Sequence, residues 1–151
     1  MKLPWSLPGF NLAAVKEMVM GNRRKVFLVW ERSKNGVKLR PDEQELLEIL
    51  QMHPEWEPIY SNPQKYSKYK FDPKKEEDPF VHILLHQLLR RQMKSRELPE
   101  LQAAYDRLAR KKGAKAAEEA ILEIFLDEVF KAVQQRKMVN LESLKARLSR
   151  V

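Results

Sequence analysis

Apolar residues recur along almost the whole chain at the three-to-four residue spacing of an α-helix, and the breaks between these stretches fall at helix-capping residues. Asn11 can cap a short helix from Leu12 to Met20, with Leu12, Val15 and Val19 on one side and Gly21 as its stop. Asn22 offers a second cap before Arg23 to Lys34, where Val26, Phe27 and Trp30 share a face and Asn35-Gly36 closes the segment. Propensity alone would also allow a buried strand from Val26 to Trp30; the charged flanks and the nearby cap favour helix. Pro41 suits a first helical position, and Asp42, Glu43 and Glu45 follow where carboxylates oppose the helix dipole. Pro54 ends that helix near Met52.

Residues 54–78 break the pattern. Pro54, Pro58, Pro63 and Pro73 forbid a long helix there. Trp56, Ile59, Tyr60, Tyr66, Tyr69 and Phe71 make the segment too aromatic for a disordered linker, so it is expected to pack over the core as a long loop. Asp78 then caps a helix that opens with Pro79 and runs to about Ser95. Pro99 opens the next, which stops at Gly113. Ala114 to Lys137 reads as the longest helix, with Ala117, Ile121, Leu122, Phe125, Val129 and Val133 in a stripe, and Asn140 caps a last one carrying Leu141, Leu144 and Leu148.

The expected fold is therefore all-α: a single compact multi-helix domain over residues 1–151, with a long aromatic- and proline-rich loop between the second and third main helices. Residues 1–21 form an N-terminal extension, 22–137 the core and 138–151 a C-terminal helix. Only 4 glycines in 151 residues leave little room for the tight turns of an all-β fold or for a phosphate-cradling loop. The chain has no cysteine, which removes disulfides, thiolate ligands and a cysteine nucleophile, and agrees with a reducing, cytoplasmic setting. No apolar run approaches the roughly 20 residues that span a bilayer.

The candidate chemistry centres on Asp78-Pro79-Phe80-Val81-His82-Ile83-Leu84-Leu85-His86. At about 100° per residue, His82 and His86 lie together on the border of the face defined by Val81, Leu85, Leu88 and Leu89. Imidazoles at i and i+4 can grip one divalent transition metal such as zinc, iron, nickel or copper. A zinc-protease helix needs Glu directly after the first His, and Ile83 stands there instead. Further ligands would come from His53, the only other histidine, or from carboxylates of the long helix, Glu119 and Glu123 foremost. Asp127 shares the i, i+4 spacing with Glu123, but both fall on the polar side of their helix. The competing reading is that the histidines make only packing or capping hydrogen bonds.

The net charge of +8 favours an anionic partner, whether nucleic acid, a membrane surface or an acidic protein, against the plainer reading of a well-solvated basic surface. Arg110, Lys111, Lys112 and Lys115 around Gly113 are the densest basic group and the candidate nucleic-acid contact. Basic residues at a helix C-terminus also oppose its dipole, and no aromatic is interleaved for stacking except Tyr105, which is expected in the core.

Three segments together resemble a family of small bacterial proteins catalogued only as a domain of unknown function. They are the Trp30 helix leading through Pro41 to His53-Pro54-Glu55-Trp56; Asp78-Pro79-Phe80-x-His82-x-x-Leu85-His86-x-x-Leu89-x-x-Gln92; and Ala104-Tyr105-x-x-Leu108 followed by a long helix holding Glu123 and Asp127. The likeness spans roughly residues 22–135, with the Trp-Ser-Leu-Pro start extra to it. The family usually has Asn at Asp78 and often a further histidine near Glu119. The resemblance implies a helical fold and a set of positions; it carries no activity. The sequence thus reads as a binding or interaction module, with a metal-binding helical protein centred on His82 and His86, even a metal-dependent enzyme, and a nucleic-acid-associated protein as the alternatives.

Overall fold

The computed structural model describes residues 12–72 and 74–151, with side chains from Glu17 onward except that of Val133. The expected Asn11 cap, the Trp5–Pro8 start, Pro73 and the side chains of Leu12, Val15 and Val133 lie outside the described residues. Among those described the fold is all-α: α1 (Leu12–Lys34), α2 (Pro41–Gln51), α3 (Glu57–Tyr60), α4 (Pro63–Tyr66), α5 (Pro79–Ser95), α6 (Pro99–Lys112), α7 (Ala114–Gln135) and α8 (Leu141–Ser149). A 3₁₀ turn, Pro54–Trp56, precedes α3. No helix of the described residues is long and apolar enough to cross a membrane. Two compact units are distinguished, Lys16–Gln87 and a second built from Leu88–Val151.

In the first unit, α1 corrects one expectation. It is a single helix of 23 residues, uninterrupted at Gly21-Asn22. A helical glycine costs only about 1 kcal/mol against alanine, whereas the stripe formed by Val19, Arg23, Val26, Phe27 and Trp30 continues across Gly21 and is buried throughout. Val26 to Trp30 is helical, as the charged flanks suggested. Arg32 of α1 donates to the buried Glu43 carboxylate of α2 at 2.8 Å, and the Arg40 backbone N–H donates to its other oxygen at 3.0 Å.

The aromatic- and proline-rich connection holds three short helical turns. Pro54, Pro58 and Pro63 each sit in the first two positions of one, where the missing N–H has no helical partner to lose. These prolines therefore start turns as well as limiting them. Its aromatics do pack: Tyr60 is buried with its ring 5.5 Å from Trp30, and Phe71 stands 6.0 Å from Phe80. Arg23 ties the segment down, donating to the carbonyls of Tyr66 and Tyr69 at 2.9 and 2.7 Å. Asp78 caps α5 as expected, with Oδ1 accepting from the Phe80 N–H at 2.9 Å.

In the second unit α6, α7 and α8 pack on one another, and Leu101, Ala104, Leu108, Ala117, Ile121, Phe125, Leu144 and Leu148 of these helices are buried. Tyr105 is half-buried rather than in the core. Arg107 closes the end of α8 by donating to the carbonyls of Leu148 and Val151, both at 2.9 Å. Buried Glu128 accepts from Ser143 Oγ at 2.8 Å and Arg147 at 3.1 Å, and Asn140 caps α8 through the Ser143 N–H.

Candidate metal centre

α5 carries His82 and His86 on successive turns, and the end of α2 brings His53 to them. Pro54 stops α2, and the 3₁₀ turn that follows folds the Trp56 N–H back onto the His53 carbonyl at 3.1 Å. The three imidazoles form one cluster. Ring centroids are 4.7 Å apart for His53 and His82, 5.4 Å for His53 and His86, and 4.8 Å for His82 and His86. One nitrogen from each ring lies within 4.8 Å of those of the others.

His86 is 0% exposed and His53 7%, while His82 keeps a partly open edge. The helical wheel had put both α5 histidines on the border of the apolar face. A wheel counts only a helix's own residues; here His53 and Trp56 cover the turn from outside, with the Trp56 ring 5.1 Å from His82 and 4.3 Å from His53, nearly parallel to the latter.

Hydrogen bonding fixes the direction in which these rings present themselves. His53 Nδ1 is 2.7 Å from Glu55 Oε1, and His82 Nδ1 is 2.9 Å from Glu77 Oε1. An ionised carboxylate only accepts, so each Nδ1 is the donor and, in the neutral ring, Nε2 carries the lone pair. His53 Nε2 meets His86 Nε2 at 3.3 Å, and the proton between them then belongs to His86. Ligands at about 2.0–2.1 Å around a tetrahedral zinc stand about 3.3–3.4 Å from one another, so this pair is already at ligand–ligand distance.

Tyr60 lies seven residues beyond His53 and is 1% exposed, and its hydroxyl has no hydrogen-bond partner among the described residues. Burial, with the Glu55 charge adding to it, pushes its phenol well above the usual range.

The acids of α7 separate. Glu119 is half-buried; Glu123 and Asp127 are exposed. Asp127 is held by Arg147 at 2.7 Å and Lys131 at 3.2 Å, and these donors lower its carboxyl below the usual range. Arg110, Lys111 and Lys112 in the last turn of α6, and Lys115 in the first turn of α7, are all exposed around Gly113. The three at the end of α6 oppose its dipole.

Sequence reasoning placed all three histidines among the candidates but missed the roles of Glu55, Trp56 and Glu77. The signal was local: an acid two residues after His53, and another immediately before the α5 cap.

The three histidines of this helical chain thus converge in one cluster, with His53 and His86 buried and His82 partly open. The chain matches the family described as a domain of unknown function (DUF1841) over residues 20–150, and it belongs to that family. No curated protein and no solved structure gives a match.

Proposed function

We propose that this chain binds a divalent transition metal through His53, His82 and His86. The observation that carries the reading is the 3.3 Å approach of His53 Nε2 to His86 Nε2 inside a cluster of three rings. Metal binding there would displace the proton that His86 shares with His53. Three neutral nitrogens favour zinc, nickel, copper or iron(II) over magnesium or calcium, which take oxygen ligands.

A metal that binds the folded chain and not the unfolded one stabilises it by mass action, by about 2.7 kcal/mol at a hundredfold excess over Kd. Thermal unfolding of untagged protein with zinc, nickel and iron(II) tests this. The midpoint rises with at least one metal, and the rise disappears in His82→Ala. An unchanged midpoint with every metal, or a rise that survives His82→Ala, refutes the reading.

A further inference from the structure

Both histidine segments of the cluster carry an acid that no ligand role explains. Glu55 lies two residues after His53 in the 3₁₀ turn, and Glu77 five residues before His82, just ahead of the Asp78 cap. Both side chains are more than half exposed, at 56% and 59%, so the core does not require them. A free neutral imidazole prefers to hold its hydrogen on Nε2. A carboxylate on Nδ1 reverses that preference, because only Nδ1–H can donate to it.

We infer that Glu55 and Glu77 are positioning residues: each holds its histidine as the Nδ1–H tautomer, so that the Nε2 lone pairs of His53 and His82 face the metal position before any metal arrives. This rests on the proposed metal site and says how the site is preorganised. The Nδ1 contacts of 2.7 and 2.9 Å are at charge-assisted lengths. Trp56 adds a second constraint at His53, stacking on the ring with an interplanar angle of 18° and holding the plane that Glu55 orients. Histidines that ligate metals commonly donate their other N–H to such a carboxylate, and losing that partner typically weakens metal binding 10–100-fold.

A purely structural role would differ in one respect. Glu77 could serve only the dipole of α5, and Glu55 only the 3₁₀ turn; neither role cares which ring nitrogen is protonated. The test therefore reads the tautomers directly. Nitrogen-15 NMR of the metal-free protein, above the pH at which imidazoles protonate, should show His53 and His82 as Nδ1–H. In Glu55→Ala the His53 signal, and in Glu77→Ala the His82 signal, should move towards Nε2–H. Zinc affinity, measured against a competing chelator, should fall about 10–100-fold in each. Glu55→Gln and Glu77→Gln should keep the tautomer, because the amide oxygen still accepts, and should recover part of the affinity. Nε2–H rings in the unaltered protein, or zinc affinities unchanged in both alanine variants, overturn the inference while leaving the metal site standing. Unaltered protein that takes up no zinc, nickel or iron(II) overturns the site itself and this inference with it, whatever the tautomers.

Discussion

Removing Arg23 should be among the most damaging single changes in the first unit. Its side chain is buried at 4% exposure, lies with Cζ 4.5 Å over the Phe80 ring, donates to two carbonyls of the aromatic connection and stands 3.8 Å from Asp78. Two hydrogen bonds from a charged donor contribute about 1.5–3 kcal/mol each, and the ring contact about 0.5–2 kcal/mol. Against these stands the cost of taking a guanidinium out of water, which offsets a good part of the sum. Arg23→Ala relieves that cost but leaves two carbonyls without their donor and the half-buried Asp78 carboxylate without its neighbouring positive charge. Breaking a buried pair from one side costs about 3–5 kcal/mol, and we expect a loss in that range. Urea unfolding measures it as a shift in midpoint at unchanged slope. Arg24→Ala, at the exposed neighbouring position, should stay within about 0.5 kcal/mol of the unaltered protein. A loss below about 1 kcal/mol for Arg23→Ala would refute the claim that this side chain anchors the connection to α1.

Two glycines should respond oppositely to alanine. Gly21 is exposed within α1 with open space around it, so Gly21→Ala should stabilise by about 0.5–1 kcal/mol; Gly113 has φ +87° and ψ 164°, a region almost restricted to glycine, so Gly113→Ala should cost about 1–3 kcal/mol in the same unfolding assay. Asp78 gives a pH signature. Burial raises its carboxyl above the usual range, against the opposing pull of the Phe80 N–H and of Arg23. The folded value thus exceeds the unfolded one, so its contribution to stability is complete below the unfolded value of 3.8 and is lost as pH rises through the folded value. Asp78→Asn keeps the cap, and should equal or exceed the unaltered protein at neutral pH while removing that segment of the pH–stability curve.

What could be read from the sequence was what short-range rules decide. Pro79, Pro99 and Asn140 mark helix starts because fixed φ and local capping act within a turn, and all three starts are where those rules put them. Gly21 does not stop α1, because its local penalty of about 1 kcal/mol is outweighed by the long buried stripe that runs past it. The i, i+4 pair on α5 was visible as a spacing. That His53 joins it, from 33 residues away along the chain, depends on how α2 ends and how the 3₁₀ turn folds back, which no spacing encodes. The complete burial of His86 has the same origin, since residues outside α5 cover it.

The central claim is that the three histidines form a metal site, and metal stoichiometry tests it most directly. Untagged protein incubated with zinc, nickel or iron(II), freed of loose metal and analysed by mass spectrometry of the elements, should retain about one tightly held ion per chain, the occupancy of a single zinc-type site. His86→Ala should lose that ion. Glu123→Gln, altering an exposed acid of α7, should keep it. Protein that retains no metal, or a His86→Ala variant that retains as much as the unaltered chain, would contradict the account and leave the cluster as packing alone.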